Sequence, residues 1–140
     1  DIMNIKEDGV EMVEFDELLS ESDMVTIHIH LNDDTRHIIG SKEMESMKSS
    51  SILINTSRGA LIDEKALLYA LEKKIIAGAA LDMIDGEWDE SIISHPLIAY
   101  SKKNTNLVIT PHIGGATHES IFGARIFMAQ KIANYFKQSQ

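Results

Sequence analysis

Ser51-Ile52-Leu53-Ile54-Asn55-Thr56-Ser57-Arg58-Gly59 is the stretch that decides the fold. Its first residues form a short apolar run without alternation, which predicts a strand buried on both faces. That is the habit of a parallel sheet whose helical crossovers cover it. The run ends in a cation and a glycine. In open α/β sheets, ligands bind beyond the carboxyl ends of the strands, so Arg58 stands where a ligand is expected.

Working outward, similar runs occur at Val10 to Phe15, Met24 to Ile29, Ala77 to Asp82 and Leu107 to Ile109. Between them, Asp16 to Ser20 and Ser41 to Met47 read as short helices. Asp63 is placed to cap a third helix through about Lys74, with Leu67, Leu68 and Leu71 as its buried stripe. A last helix follows Thr117, a candidate cap, and runs to about Lys137. Its apolar residues include Ile121, Phe122, Met128, Ile132 and Phe136. Strand–helix alternation of this kind predicts a Rossmann-type, doubly wound α/β fold. Asp85 to Asn106 reads as one long loop, a length that suggests function.

The 140 residues suffice for one ordinary core. A hydrophobic content of 44% with 25% charged residues is that of a globular chain, and the net charge of -9 disfavours nucleic acid or an anionic membrane as partner. No apolar run approaches the roughly 20 residues a membrane span requires. With no cysteine, disulfides, thiolate metal sites and cysteine nucleophiles are excluded, a composition compatible with the cytoplasm. No metal site is expected, since His28 and His30 read as strand-end residues with too few partners. His37, His95 and His118 read as loop or surface residues, and the seven methionines as core filling.

Three segments carry chemistry. A guanidinium at Arg58 offers a planar fork for a carboxylate; taken alone, Ser-Arg-Gly also reads as a surface ion-pair partner. Glu87 closes Asp82-Met83-Ile84-Asp85-Gly86-Glu87 after another strand, where a carboxylate can raise a neighbouring imidazole's pKa. Alone, it is one solvated acid among several. His112 lies in Thr110-Pro111-His112-Ile113-Gly114-Gly115, and an imidazole titrating near neutrality suits proton transfer.

Together, in this order and at spacings of 29 and 25 residues, the three segments resemble the NAD-dependent D-isomer-specific 2-hydroxyacid dehydrogenases. The resemblance runs from Leu18 to Gly115. It implies that residues 1–137 are part of an NAD-binding domain, with 138–140 a disordered tail. It further implies that Arg58 binds the carboxylate of a small 2-hydroxy or 2-keto acid, that His112 is the acid–base, and that Glu87 tunes it. Thr56, Ser57, Arg58, Asp82, His112, Gly114 and Gly115 correspond to cofactor-contacting positions, and Asp1 to the acid that grips the ribose hydroxyls. A homodimeric parent is implied by the same likeness. The chain departs from the family's pattern at His30 and at Trp88, both common proline positions.

The family's Gly-x-Gly-x-x-Gly turn, which holds the pyrophosphate on backbone N–H groups, is not in the sequence. The expectation is therefore an incomplete cofactor domain, an enzyme fragment inactive by itself. The alternative from another class is a non-catalytic, NAD-responsive interaction module of the corepressor type, a role some relatives of this fold perform.

Overall fold

The computed structural model describes residues 8–138. The chain divides after Thr110 into two compact units, Asp1–Thr110 and Pro111–Gln140.

The first unit is a four-stranded parallel sheet. Its strands are β1 (Met24–Ile27), β2 (Ile52–Asn55), β3 (Gly78–Leu81) and β4 (Leu107–Ile109), and they lie side by side in chain order. The register pairs Val25 with Leu53, Leu53 with Ala79, and Ala79 with Leu107, so the carboxyl ends align along one edge. Helices α1 (Phe15–Glu21), α2 (Ser41–Ser46), α3 (Glu64–Glu72) and α4 (Pro96–Ser101) complete the unit.

One cluster joins all of these elements. Leu19, Met44, Leu67, Leu71 and Leu97 from the helices meet Val25, Ile27, Leu53, Leu81 and Leu107 from the strands. Chain-order strands linked by crossovers of one hand put every crossover helix on the same face. The other face of the sheet therefore carries Met24, Ile52 and Val108, all exposed. The parallel sheet is as expected, but within this unit burial on both faces is not. Topology, which a strand's own sequence does not encode, made the difference.

Two more local expectations change. Val10 to Glu14 is not a strand, and Phe15 already begins α1. Val10 and Met12 are exposed; an apolar run becomes a strand only when a neighbour takes its hydrogen bonds, and no described strand lies beside this one. Asp85 to Asn106 is not a bare loop, because α4 and a single-turn 3-10 helix (Glu90–Ser94) stand within it. His95 caps α4 and Pro96 occupies its first turn, a position where the missing proline N–H costs nothing.

The caps read from sequence are in place. The Asp63 side chain accepts from the N–H groups of Lys65 and Ala66. At the other end of α3, Lys74 adopts a left-handed φ of 56°. The N–H groups of Lys74 and Ile75 donate to the carbonyls of Leu71 and Ala70, closing the helix as a Schellman motif.

The second unit, taken by itself, is a turn followed by α5 (His118–Gln138), with Thr117 Oγ1 accepting the Ser120 N–H at its start. Ile126, Phe127, Ile132 and Phe136 on this helix are exposed. Asp1 and residues 139–140 lie outside the described residues.

Candidate active site

The carboxyl end of β2 is organised by Asn55, which is fully buried. Its Nδ2 donates to the Arg58 carbonyl at 2.7 Å, and its Oδ1 accepts the Ser57 N–H at 3.0 Å. One amide side chain thus ties the turn to itself. The Ser57 hydroxyl donates to the Ile29 carbonyl at 2.6 Å, joining this turn to the end of β1. That bond commits the Ser57 hydroxyl proton to protein, so a cofactor there would meet Ser57 through its other groups. Thr56 and Arg58 remain exposed at the sheet's edge. Arg58 Nη1 donates to the Ser57 carbonyl at 2.6 Å and lies 3.8 Å from Met83 Sδ.

Next to it, β3 delivers the segment 82–87. Asp82 is buried at 7% exposure; its N–H donates to the Asn55 carbonyl, and the Thr110 hydroxyl donates to its Oδ1. Beyond it the chain bends over the β2 turn. A Cβ at Gly59 would lie 2.3 Å from the Asp85 nitrogen and the Ile84 carbonyl carbon. Glycine here is the condition for the two backbones to touch, and it puts Arg58 and the Glu87 segment side by side. Gly86, at φ 71°, turns the chain in a conformation that side chains disfavour. Glu87 is half-buried and Trp88, after it, is 85% exposed.

One carboxylate also reaches this segment from α3. Glu64 Oε1 accepts the Asp85 N–H at 2.8 Å, and Oε2 lies 3.1 Å from His95 Nε2. The His95 Nδ1 accepts the Leu97 N–H, so Nε2 carries the proton and donates to Glu64. Burial, above all, raises the Glu64 carboxyl above the usual carboxylate range, against the opposing pull of the Asp85 N–H and His95. His95 is therefore neither a surface nor a bare loop residue. The His95-Pro96 pair carried the signal as a helix start; its partner Glu64 had none in sequence.

His112, Gly114 and Gly115 belong to the second unit. His112 adopts φ 54°, a left-handed backbone rarely taken by residues other than glycine. Non-glycine residues held there cluster at functional sites.

Residues 1–114 match the family model described as D-isomer specific 2-hydroxyacid dehydrogenase, NAD binding domain. The chain belongs to this family. A glyoxylate reductase of Thermococcus litoralis is 42% identical over 134 residues, which cover 94% of this chain and 38% of that protein. A D-specific alpha-keto acid dehydrogenase of Enterococcus faecalis is 40% identical over 116 residues, 78% of this chain and 36% of its own length. Among solved structures, the NAD-complexed D-isomer specific 2-hydroxyacid dehydrogenase of Lactobacillus delbrueckii ssp. bulgaricus superposes with a TM-score of 0.75 at 36% identity. That match covers 86% of this chain and 40% of the other. The chain thus spans under half the length of these relatives.

Proposed function

We propose that this chain supplies the nicotinamide-facing half of the cofactor domain in a dehydrogenase that interconverts a 2-hydroxy acid and a 2-keto acid. The observation that carries the reading is the Gly59 contact, which sets Arg58 against the segment bearing Glu87 at the carboxyl edge of a parallel sheet. That edge is where such sheets take ligands.

NAD fits the groups present. Thr56, Ser57 and Arg58 at the end of β2, Asp82 at the end of β3, and His112, Gly114 and Gly115 would hold its nicotinamide half. The buried Asp82 carboxylate, oriented by the Thr110 hydroxyl, suits an amide donor. Asp1, the candidate for the ribose hydroxyls, lies outside the described residues. When bound, the nicotinamide gives or takes the hydride.

The chain's own residues do the rest. Arg58 grips the substrate carboxylate with a bidentate fork, fixing which face of the carbonyl is presented. His112 donates a proton to the keto oxygen in reduction and removes it from the hydroxyl in oxidation. Glu87 favours the protonated imidazole and holds its tautomer. The reading takes the parent as a cytoplasmic homodimer; among the described residues no helix is long and apolar enough to cross a membrane.

The test is turnover by the full-length protein with NADH and a panel of small 2-keto acids. His112→Ala should cost about 10²–10⁴ in kcat, and Arg58→Lys should raise the KM for the keto acid far more than that for NADH. An unchanged rate in His112→Ala removes the acid–base assignment. A full-length protein that reduces none of the acids removes the reaction class.

A further inference from the structure

The segment 85–95 has little packing of its own. None of the residues in its 3-10 helix is buried, Ile92 is its apolar anchor against the core, and a hollow of about 200 Å³ lies between Asp85, Gly86, Asp89 and His95. Glu64 grips both ends of this segment at once, through the Asp85 N–H at one end and His95 Nε2 at the other. Glu64 itself is fixed in the first turn of α3, directly after the turn that carries Arg58. Its carboxylate is largely sheltered, with 15% of the side chain exposed and 19% of that of His95, so water competes weakly for these bonds.

We propose that Glu64 and His95 form a positioning pair for the reaction, a latch that closes the segment 85–95 into a ring and thereby aims Glu87. This rests on the proposed acid–base role of His112 and Glu87. The same carboxylate couples the Arg58 turn to the Glu87 segment, so the substrate-binding cation and the tuning acid move as one body. His95 has two duties, the α4 cap through Nδ1 and the latch through Nε2, and one neutral tautomer satisfies both. Protonating Nδ1 would break the cap, and moving the proton from Nε2 would break the latch.

The experiment uses the full-length protein and the variants Glu64→Gln, His95→Asn, Glu87→Gln and the Glu64→Gln/Glu87→Gln double. Asparagine at 95 can still cap α4 but falls short of Glu64, so it opens the latch and spares the helix. Hydrogen exchange of the peptides spanning 85–95 should speed up in Glu64→Gln and His95→Asn. Turnover should fall about tenfold, less than the roughly 10² that a full 1 Å misplacement costs, with the KM for NADH unchanged. The alkaline limb of the kcat/KM profile for reduction should move to lower pH in both variants, because a displaced Glu87 supports the protonated imidazole less. The double variant should move it no further than Glu87→Gln alone.

An unmoved alkaline limb with unchanged exchange at 85–95 overturns the latch, even if Glu64→Gln loses stability. So does a double variant in which the two shifts add. A wild-type protein that turns over no 2-keto acid overturns the reaction reading and the positioning role with it, while faster exchange in His95→Asn would still establish the physical contact.

Discussion

Adding one methyl group at Gly59 tests the contact on which the Arg58 turn and the Glu87 segment depend. In Gly59→Ala the new carbon would lie 2.3 Å from the Asp85 nitrogen, 2.3 Å from the Ile84 carbonyl carbon and 2.8 Å from the Ile84 oxygen. All three atoms are backbone, so no side chain can swing aside. Ordinary contact begins near 3.4 Å, and the two segments must therefore part by about 1 Å. Forcing a methyl into such a site costs about 1–3 kcal/mol, which for a chain of this size lowers Tm by several degrees. The same displacement carries the Asp85 N–H away from Glu64, now 2.8 Å from it. Misplacing catalytic groups by about 1 Å costs on the order of 10² in rate. The assay is NADH-linked reduction of a 2-keto acid by the full-length protein, beside thermal unfolding followed by circular dichroism. A Gly59→Ala protein with wild-type kcat/KM and wild-type Tm would refute the reasoning, because it would mean the two segments do not depend on touching.

Three further outcomes follow from other parts of the molecule. Burial raises the Glu64 carboxyl, against the hydrogen bonds it accepts from the Asp85 N–H and His95, and the nearby Asp85 carboxylate adds to the rise. The folded state therefore holds this proton where the unfolded state has lost it, and stability falls as pH rises from the ordinary carboxylate range to the raised value. Denaturant titrations across that window should show the wild type losing ground to Glu64→Gln as pH increases; a gain would contradict the burial argument. Lys74→Gly should stabilise the first unit by roughly 0.5–1 kcal/mol, because glycine adopts the left-handed φ of 56° without the strain lysine bears. A lower urea midpoint would contradict it. These 140 residues by themselves should bind NAD more weakly than micromolar by titration calorimetry, since they hold no Gly-rich turn for the pyrophosphate; a micromolar Kd would show that the nicotinamide half suffices.

Much of the candidate site could be read from the chain because its signals are local. A buried strand shows as an apolar run, as in Ile52 to Ile54, and Asp63 and Thr117 are recognisable caps because each bonds residues two or three positions on. The segments around Arg58, Glu87 and His112 are short, ordered strings whose resemblance needs no geometry. Each of these depends on residues within one turn or one strand.

Partnership across the chain is another matter. Val10 to Phe15 has strand composition, but hydrogen-bonded neighbours decide whether a strand forms. The three crossovers bury one face of the first unit because strand order runs with chain order, and no single strand reports its place in that order. Gly59 follows Arg58 as an unremarked glycine until Asp85, 26 positions away, packs against its α-carbon. Glu64 and His95 are separated by 31 positions, and nothing near either names the other. The sequence by itself determined the parallel α/β class, the family and the candidate catalytic side chains. Only the tertiary structure decided which loops touch and what pins them, because contact is set by the register of neighbouring strands and the space between their loops.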